Sequence, residues 1–224
     1  MIKAVLFDLD GLLVNTETLG IKSITKILKD LGVKLNKKEQ NEYIGVSDQK
    51  FLEDLFKKKR LNYNINDVMK KHFKLYEFLL KNELKQFTGA ISLPKKLKKK
   101  GFKLAIVSGS TRKQVFIILN KLKIKKLFDA IITCEDNPNK SKPNPEPYLF
   151  ALRKLRLKPS ECIVIEDSES GVKSAKKAGI KVIGVINKGR QNLSPSNKIV
   201  KNLNQISLSY FYPTNRATTG SFKK

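Results

Sequence analysis

Residues 4–11 read AVLFDLDG, a short apolar run that leads directly into two aspartates and a glycine. The apolar run predicts a buried β-strand, with Asp8 and Asp10 at its carboxyl end. Side chains two residues apart in a strand point to the same face of the pleat, so the two carboxylates would lie close together. Like charges held that close need a counter-charge, and a divalent cation is the usual one. This stretch therefore indicates chemistry on a phosphorylated compound at the edge of a sheet.

The composition is that of a globular protein. The chain has 224 residues, enough for one large domain or for a core with an inserted lobe. Hydrophobic residues make up 40% of it, and no apolar stretch approaches the ~18 residues that span a bilayer. Asp8 and Asp10 interrupt the first apolar run too early for a signal peptide. We therefore expect a cytoplasmic protein with no membrane partner, and we expect a monomer.

The charge is strongly basic, with 46 Lys and Arg against 20 Asp and Glu and a formal net charge of +26. A nucleic-acid surface is one interpretation of this excess. The basic residues are spread over the chain, however, and lack interleaved aromatic side chains that could stack on bases. We favour solvated helix faces and expect no nucleic-acid partner. In either case the positive field should attract small anions.

The histidine and the cysteines give no sign of a metal centre built on nitrogen or sulfur. Cys134 and Cys162 are far apart in the sequence and lie in or beside apolar segments. We expect both to be reduced, buried side chains, because a zinc site needs more ligands at closer spacing. His72 is the single histidine and lies in a lysine-rich helical stretch. We expect it on the surface.

Strand and helix patterns alternate through the last two thirds of the chain. Four further strands are predicted, at residues 103–107, 128–133, 162–165 and 182–186. The segments between them have apolar residues at helical spacing. Strands that alternate with helices predict an α/β fold with a parallel sheet covered on both faces.

Residues 16–83 differ from the rest, because they contain several amphipathic helical stretches and no convincing strand. We interpret them as a small helical lobe inserted after the first strand. The core would then comprise residues 1–15 and 84–206. Residues 207–224 leave little to bury at their end, which favours a loose tail.

Polar residues follow the predicted strands at the edge where an open parallel sheet binds its ligands. Lys142 stands before a helix on the same side. The candidate site residues are Asp8, Asp10, Ser108, Gly109, Lys142, Glu166 and Asp167. Two acidic pairs, a hydroxyl group and an ammonium group can thus meet in one cleft.

Each of these groups has a chemical task at a phosphate. Asp8 and Asp167, with Glu166 close by, offer the oxygen ligands that Mg²⁺ prefers. The metal and Lys142 would offset the negative charge that repels an anionic nucleophile from phosphorus. Asp8 can then attack phosphorus and form an aspartyl phosphate.

The remaining groups complete the reaction. Asp10 can protonate the leaving oxygen and then take a proton from the water that breaks the intermediate. Ser108 and the backbone N–H of Gly109 can hold phosphate oxygens, since glycine lets the backbone approach closely. Each motif alone is weak, but their joint order at separate strand–helix junctions is specific.

Four segments carry a family resemblance: FDLDGLLVNTE at residues 7–17, VSGS at 107–110, KPNPEPY at 142–148 and IEDSESGV at 165–172. They resemble the four motifs of the haloacid dehalogenase-like superfamily, and the resemblance extends to about residue 206. It is closest to the branch that holds β-phosphoglucomutase and many sugar-phosphate phosphatases. The resemblance implies a Rossmann-like parallel sheet core with a helical cap inserted after the first motif.

The resemblance also implies residue roles. Asp8 would be the nucleophile and a Mg²⁺ ligand, and Asp10 the general acid and base, with its backbone carbonyl also on the metal. Ser108 and Lys142 would hold the transferring phosphoryl group. Asp167 would ligate Mg²⁺. Glu166 would ligate the ion directly or orient it through a water molecule.

Departures from the family pattern bear on the choice of reaction. Gly20 stands where many members of the branch carry a histidine, and Asp48 stands where the mutases carry an arginine. A mutase must hold a second phosphate, which an arginine fork suits and a carboxylate repels. Lys50 could replace the arginine only as a less geometric partner.

We therefore expect a Mg²⁺-dependent phosphatase that acts on a small phosphorylated metabolite such as a sugar phosphate. A phosphosugar mutase with the same nucleophile is the alternative. A nucleic-acid-binding module that merely keeps the fold is a third hypothesis. It is disfavoured because a pure binding protein has no need for clustered carboxylates.

Overall fold

The computed structural model describes residues 1–43, 46–136, 139–187 and 191–212. Its described strands are β1 (Ala4–Phe7), β2 (Lys103–Val107), β3 (Ala130–Ile132), β4 (Cys162–Glu166), β5 (Lys181–Val185) and β6 (Lys198–Val200). They form one sheet in the order β3-β2-β1-β4-β5-β6, and every neighbouring pair is parallel. The predicted α/β fold with a parallel sheet is confirmed. Strand β6 was not predicted, because its three residues begin with a lysine and form too short an apolar run.

The central position of β1 determines where the loops meet. Phe7, the last residue of β1, is paired with Ile106 of β2 on one side and with Ile165 of β4 on the other. The chain therefore leaves all three strands at the same edge of the sheet. The residues that follow β1, β2 and β4 are brought together there.

The helices of the described residues are α1 (Glu17–Asp30), α2 (Lys37–Glu42), α3 (Asp48–Lys59), α4 (Ile65–Glu83), α5 (Ser92–Lys99), α6 (Arg112–Lys121), α7 (Glu146–Leu155) and α8 (Glu169–Lys177). None of them combines the length and the apolar character needed to cross a membrane.

Both faces of the sheet are buried, as the continuous apolar strands require. Val5 and Phe7 of β1 belong to the cluster that includes residues of α5 and α6, whereas Ala4 and Leu6 belong to the cluster that includes residues of α7 and α8. This alternation is the two-residue period of a strand. The sheet is therefore covered by helices on both sides, as in a Rossmann-like fold.

Helices α1 to α4 lie between β1 and β2 in the chain and have an apolar cluster of their own, which includes Ile24, Leu52 and Val68. Helix α4 is not confined to that cluster, because Leu79 and Leu80 near its end are buried in the cluster of the sheet. The helical segment predicted at residues 16–83 is thus packed against the core through α4. Its limits as a separate domain stay a prediction.

Two linkers connect the helical segment to the core, and they run side by side. The N–H of Asn15 donates to the carbonyl of Lys85 at 2.9 Å, and the N–H of Phe87 donates to the carbonyl of Leu13 at 2.9 Å. An antiparallel bridge joins Val14 and Gln86 between them. The entrance and exit of the segment are therefore adjacent.

The end of the described chain is packed rather than loose. Residues Leu208–Phe211 form a 3₁₀ helix, and Phe211 is fully buried with its ring centroid 5.5 Å from that of Phe102. Residue 207 is accordingly too early a start for a loose tail, because one large aromatic side chain anchors this turn on the core. Residues 213–224 of the predicted tail lie outside the described residues.

Candidate active site

Lys142 lies at the centre of the polar groups at the carboxyl edge of the sheet. Its ammonium nitrogen is 2.6 Å from Oδ1 of Asp8, 2.7 Å from Oε1 of Glu166 and 2.9 Å from the carbonyl oxygen of Val107. It thereby links the ends of β1, β2 and β4. The side chain is only 12% exposed, so these contacts are shielded from solvent and electrostatically strong.

Glu166 is held by donors from several directions. The hydroxyl of Tyr148 donates to its Oε1 at 3.0 Å. The N–H groups of Asp167 and Ser168 and the hydroxyl of Ser168 all donate to its Oε2, at 3.0, 3.0 and 2.9 Å. Burial acts to raise the pKa of Glu166, but Lys142 and Ser168 outweigh it and lower the pKa. Glu166 is therefore a fixed negative charge beneath Lys142.

Asp8, Glu166 and Asp167 form an all-oxygen cluster. Each offers one carboxylate oxygen, and these oxygens lie within 4.8 Å of one another. Burial, followed by the charges of neighbouring carboxylates, raises the pKa of Asp167 well above its usual range. Burial also raises the pKa of Asp8 to about 8, against the opposing effect of Lys142. One ammonium group does not balance three carboxylates.

Two buried carboxylate oxygens strengthen the case for a cation. Oδ1 of Asp167 and Oδ1 of Asp10 have no hydrogen-bond partner among the described residues. Buried polar atoms are normally paired, so each such atom needs a ligand or solvent. A hard divalent cation that prefers oxygen ligands fits this donor set.

Gly11 makes room for the cluster, a role that the sequence did not reveal. Its φ of 84° is in the left-handed region that favours glycine. A Cβ atom at this position would overlap the carboxylate of Asp167. Glycine is therefore needed at position 11 for two reasons: the backbone is in the left-handed region, and the carboxylate of Asp167 leaves no room for a side chain.

Asp10 is fixed by two serines from the loop after β2. The hydroxyls of Ser108 and Ser110 donate to its Oδ2 at 2.8 and 2.9 Å. The loop is held in turn by Thr111, which caps α6 by accepting the N–H of Gln114. We did not single out Ser110 from the sequence, although it belongs to the quoted VSGS segment.

The structure thus brings six of the predicted residues together: Asp8, Asp10, Ser108, Lys142, Glu166 and Asp167. Gly109 lies in the same loop as Ser108 and is exposed at its edge. A Cβ atom on Gly109 would meet nothing within 4 Å among the described residues. Its N–H can serve a ligand, but nothing in the fold requires glycine there.

A cleft of about 1130 Å³ opens beside these groups. Asp10, Gly11 and Asp167 line it from the edge of the sheet, and Glu17 and Asn41 line it from the helical segment. Burial, followed by the negative charge of Asp10, raises the pKa of Glu17. Asp10 and Asp167 therefore face a space that is shared with the inserted helices.

His72 is buried, contrary to the prediction that it lies on the surface. It is 1% exposed, its Nε2 is 3.4 Å from Oδ2 of Asp48, and its ring stacks on Tyr76 with centroids 5.7 Å apart. The lysine-rich sequence around it misled the prediction, because those lysines occupy the outer faces of α4. The carbonyl of His72 also accepts the hydroxyl of Ser23 from α1.

Asp48 is engaged within the helical segment, where it also accepts a hydrogen bond from the hydroxyl of Tyr43. Lys50, considered from the sequence as a substitute phosphate ligand, forms an ion pair with Asp54 at 2.6 Å and is exposed. Gly45, in the same loop of the sequence, lies outside the described residues. The contact of Lys50 with Asp54 gives no support to its suggested role.

Comparison with protein families gives a match to the haloacid dehalogenase-like hydrolase model over residues 5–185. The chain is 32% identical over 186 residues to pyrophosphatase PpaX of Bacillus cereus, covering 82% of this chain and 83% of that protein. It is 29% identical over 185 residues to the phosphorylated carbohydrates phosphatase of Thermotoga maritima, covering 82% and 85%. In the chloroplastic protein SUPPRESSOR OF QUENCHING 1 of Arabidopsis thaliana, at 32% identity, the match covers 82% of this chain but only 18% of that longer protein.

Among solved structures, β-phosphoglucomutase from Clostridium difficile is similar to the chain, with a TM-score of 0.78 and 26% identity. The similarity covers 94% of this chain and 95% of that one. It therefore includes the helical segment between β1 and β2 as well as the sheet.

Proposed function

The chain belongs to the haloacid dehalogenase-like hydrolase family, and from this premise we propose that it is a Mg²⁺-dependent phosphatase of a small phosphorylated metabolite. As a member of this family it is an enzyme that hydrolyses phosphate esters. The observation that carries the proposal is the contact of Lys142 with Asp8 and Glu166 beside the carboxylate of Asp167. This arrangement places the proposed nucleophile Asp8, the ammonium group of Lys142 and the carboxylate oxygens that could ligate a metal next to one another.

In the proposed reaction, Asp8 attacks phosphorus and becomes an aspartyl phosphate. Lys142 offsets the negative charge of the phosphoryl group, while the hydroxyl of Ser108 and the N–H of Gly109 donate to its oxygens. Asp8, Asp167 and the backbone carbonyl of Asp10 would hold Mg²⁺, with Glu166 a ligand directly or through water. Mg²⁺ when bound supplies Lewis-acid stabilisation of the phosphoryl oxygens.

Asp10 acts as the general acid and base in this proposal. It protonates the leaving oxygen in the first step and takes a proton from water in the second. Its position supports the role, because one carboxylate oxygen is held by two serines and the other has no partner among the described residues.

The helical segment at residues 16–83 is proposed to act as a cap over the core formed by residues 1–15 and 84–206. A lobe that closes over the cleft would exclude bulk water and choose the substrate. The Thermotoga maritima relative is named a phosphorylated carbohydrates phosphatase, which supports a sugar phosphate as the substrate. A monomeric state and a cytoplasmic location belong to the proposal too.

A phosphosugar mutase is the second candidate, and the similarity to a solved β-phosphoglucomutase supports it. Asp48 disfavours it, because its carboxylate is bound to Tyr43 and lies near His72 in the helical segment. Asp48 therefore does not supply the cationic group that the second phosphate of a mutase substrate needs.

The test is a phosphate-release screen on phosphorylated metabolites with Mg²⁺ and with chelator, using the wild-type protein and Asp8→Asn. We expect release that depends on Mg²⁺ and falls at least ~10³-fold in the variant. Formation of an isomeric phosphosugar without free phosphate would favour the mutase. Undiminished release by Asp8→Asn, with native circular dichroism, would refute the proposed nucleophile.

A further inference from the structure

The two edges of the sheet differ in charge. Outside the helical segment at residues 16–83 the chain has ten Asp and Glu residues. Eight of them end or follow a strand, or begin a helix, at the carboxyl edge; four of these belong to the candidate site, and the others are Glu135, Asp136, Glu146 and Glu169. The remaining two, Asp129 and Glu161, precede β3 and β4 at the opposite edge, where the strands start. We call this the amino edge.

Both carboxylates of the amino edge are already paired with lysines. Nζ of Lys98 lies 2.7 Å from Oδ2 of Asp129, and Nζ of Lys3 lies 2.6 Å from Oε1 of Glu161. Each carboxylate is thus neutralised by a lysine of its own, and further lysines at this edge add net positive charge.

Further lysines stand on most of the elements that reach the amino edge. Because the strands are parallel, each helix that leads from one strand to the next ends at this edge. The exposed lysines there include Lys99, Lys103, Lys126, Lys177, Lys181 and Lys198. Within the described ranges, none of these six forms an ion pair with a carboxylate.

The positive charge extends over this edge in two directions. Along the sheet, the strands from β3 to β6 span about 24 Å at ~4.8 Å for each neighbouring pair. Across the sheet, Lys99 ends α5 on one face, and Lys177 ends α8 on the other. The lysines therefore cover a broad face of the molecule rather than a single stripe.

The dipoles of the helices explain only part of this pattern. A lysine in the last turn of a helix stabilises the helix, which accounts for Lys99 and Lys177. Lys103, Lys181 and Lys198 are the first residues of strands, and a sheet has only a small net dipole. Charges of one sign on one face repel one another, so an anionic surface is their natural counterpart.

Two exposed tyrosines lie beside these lysines. The ring centroid of Tyr212 is 5.8 Å from that of Phe102, the residue that precedes β2. Nζ of Lys198 is 5.9 Å from the ring centroid of Tyr210. Tyrosine has an apolar ring and a polar hydroxyl, a combination that suits the boundary between lipid headgroups and water.

A planar anionic surface fits this face better than a nucleic acid does. A nucleic-acid strand follows a groove or stripe of positive charge, whereas these lysines cover both helical layers. Arginine is the residue whose fork suits recognition of phosphates and bases, and the six unpaired residues are all lysines. A bilayer with anionic headgroups presents diffuse charge in two dimensions, which lysines can contact without a fixed geometry.

We propose that the amino edge docks on the surface of a bilayer that contains anionic lipids. The same surface would repel the carboxylates of the opposite edge, so the cleft beside Asp10 and Asp167 would face away from the lipid and stay open to its substrate. The sequence led us to expect no membrane partner because no apolar stretch could span a bilayer, but binding at the surface requires no span. Lysines that are scattered along the chain are brought to one edge by the fold. This docking goes beyond the proposed phosphatase activity and does not depend on it.

The experiment is co-sedimentation of the full chain with vesicles of phosphatidylcholine, either pure or with about 30% phosphatidylserine, at ~0.1 M and ~0.5 M salt. The test variant carries Lys99→Glu, Lys126→Glu and Lys181→Glu at the amino edge. None of these three lysines lines the cleft, so phosphate release should be the same as in wild type.

The matched control carries Lys34→Glu, Lys71→Glu and Lys74→Glu in the helical segment. These lysines are also exposed, and in the described part of the chain they form no ion pair. The two variants lower the net charge by the same amount and differ only in where the charge is changed.

We expect wild type to bind the vesicles with phosphatidylserine at least ~10-fold more tightly than pure phosphatidylcholine, and to be released at the higher salt concentration. The test variant should bind at least ~100-fold more weakly than wild type, and the control within about 3-fold of it. Should the test variant fail to fold, as judged by circular dichroism, Lys99→Gln, Lys126→Gln and Lys181→Gln together decide, with a loss of roughly 10-fold or more.

Equal binding by the test variant and the control, or binding that does not depend on phosphatidylserine, would overturn the inference. A gel shift with single-stranded RNA and with duplex DNA accompanies the experiment. Nucleic-acid binding that is lost in the test variant, without binding of wild type to vesicles, would overturn the bilayer in favour of a nucleic acid. Phosphate release by a protein that binds no vesicle would leave the proposed function standing and refute the docking alone.

Discussion

The hydroxyl oxygen of Ser110 lies 2.9 Å from Oδ2 of Asp10, the same oxygen that the hydroxyl of Ser108 contacts at 2.8 Å. A serine hydroxyl has a single proton to donate. In the proposed reaction the hydroxyl of Ser108 donates its hydrogen bond to a phosphoryl oxygen instead of to Asp10. Ser110 then remains as the donor that keeps Asp10 in place.

Ser110→Ala should therefore lower kcat about 10-fold with little change in KM, because a loosely held acid is poorly placed for proton transfer. Ser110→Thr keeps the hydroxyl and should retain most of the activity. Steady-state phosphate release by the three proteins checks this prediction. Equal activity of Ser110→Ala and wild type would show that Ser108 alone suffices.

Substitution by alanine should be costly at one glycine of the site and nearly neutral at another. A Cβ atom on Gly171 would overlap the carboxylate of Glu166, which is fully buried, whereas one on Gly109 would meet nothing within 4 Å. Gly171→Ala should displace Glu166 from Lys142 and cost at least ~2 kcal/mol of stability, together with most of the activity. Gly109→Ala should leave the stability within ~0.5 kcal/mol.

Urea denaturation of both variants and wild type measures these differences. Since the two substitutions add the same methyl group, each is the control for the other. A Gly171→Ala protein as stable and active as wild type would mean that Glu166 has another position available.

Mg²⁺ should raise the melting temperature of the wild-type protein by about 5 °C at 100 times its Kd, because a ligand of the folded state alone stabilises that state. Asp167→Asn should abolish most of the shift by removing a ligand charge. Asp54→Asn, at an exposed carboxylate of α3 paired with Lys50, should keep it. Thermal denaturation with and without Mg²⁺ measures this shift in melting temperature independently of catalysis. An equal shift in all three proteins would mean that Mg²⁺ does not bind at Asp167.

Asp129 should make stability depend on pH at acidic values. Burial acts to raise its pKa, but Lys98 and the N–H of Leu104 outweigh it and lower the pKa below the ordinary value. A carboxylate with a lowered pKa in the folded state stabilises that state above the unfolded pKa of ~3.9 and loses this effect as the pH falls through its folded value.

Asp129→Asn should consequently cost about 1 kcal/mol at pH 7, a modest value since the ion pair is partly solvated. The deficit should shrink below about pH 4. Urea denaturation at pH 7 and pH 3.5 compares the two proteins, with Asp30→Asn as the control at an exposed i,i+4 pair. If the loss of stability in Asp129→Asn were the same at both pH values, the charge of Asp129 would not be its cause.

The parallel sheet and the meeting of the polar groups could be predicted because both depend on local sequence. An apolar run followed by Asp8 and Asp10 is visible in the chain, and parallel strands place such ends at one edge. That topology alone was enough to predict that Lys142 lies close to Asp8 and Glu166. No knowledge of the surrounding side chains was necessary.

What could not be predicted depends on contacts between distant segments. Nothing near Gly11 in the sequence indicates that Asp167 will lie against it, and nothing near His72 indicates that Asp48 will lie beside it. The burial of Phe211 against Phe102 is of the same kind. Such contacts follow from tertiary packing, which overrides local composition.

Helix α4 has one further consequence. Its 19 residues extend for roughly 28 Å, with Val68 in the apolar cluster of the helical segment and Leu80 in that of the sheet. Beyond Leu80 the sheet cluster continues into α6, which begins immediately after the loop of Ser110. A single helix therefore joins the apolar cluster of the inserted segment to the cluster that includes α6, the helix that follows the loop of Ser110.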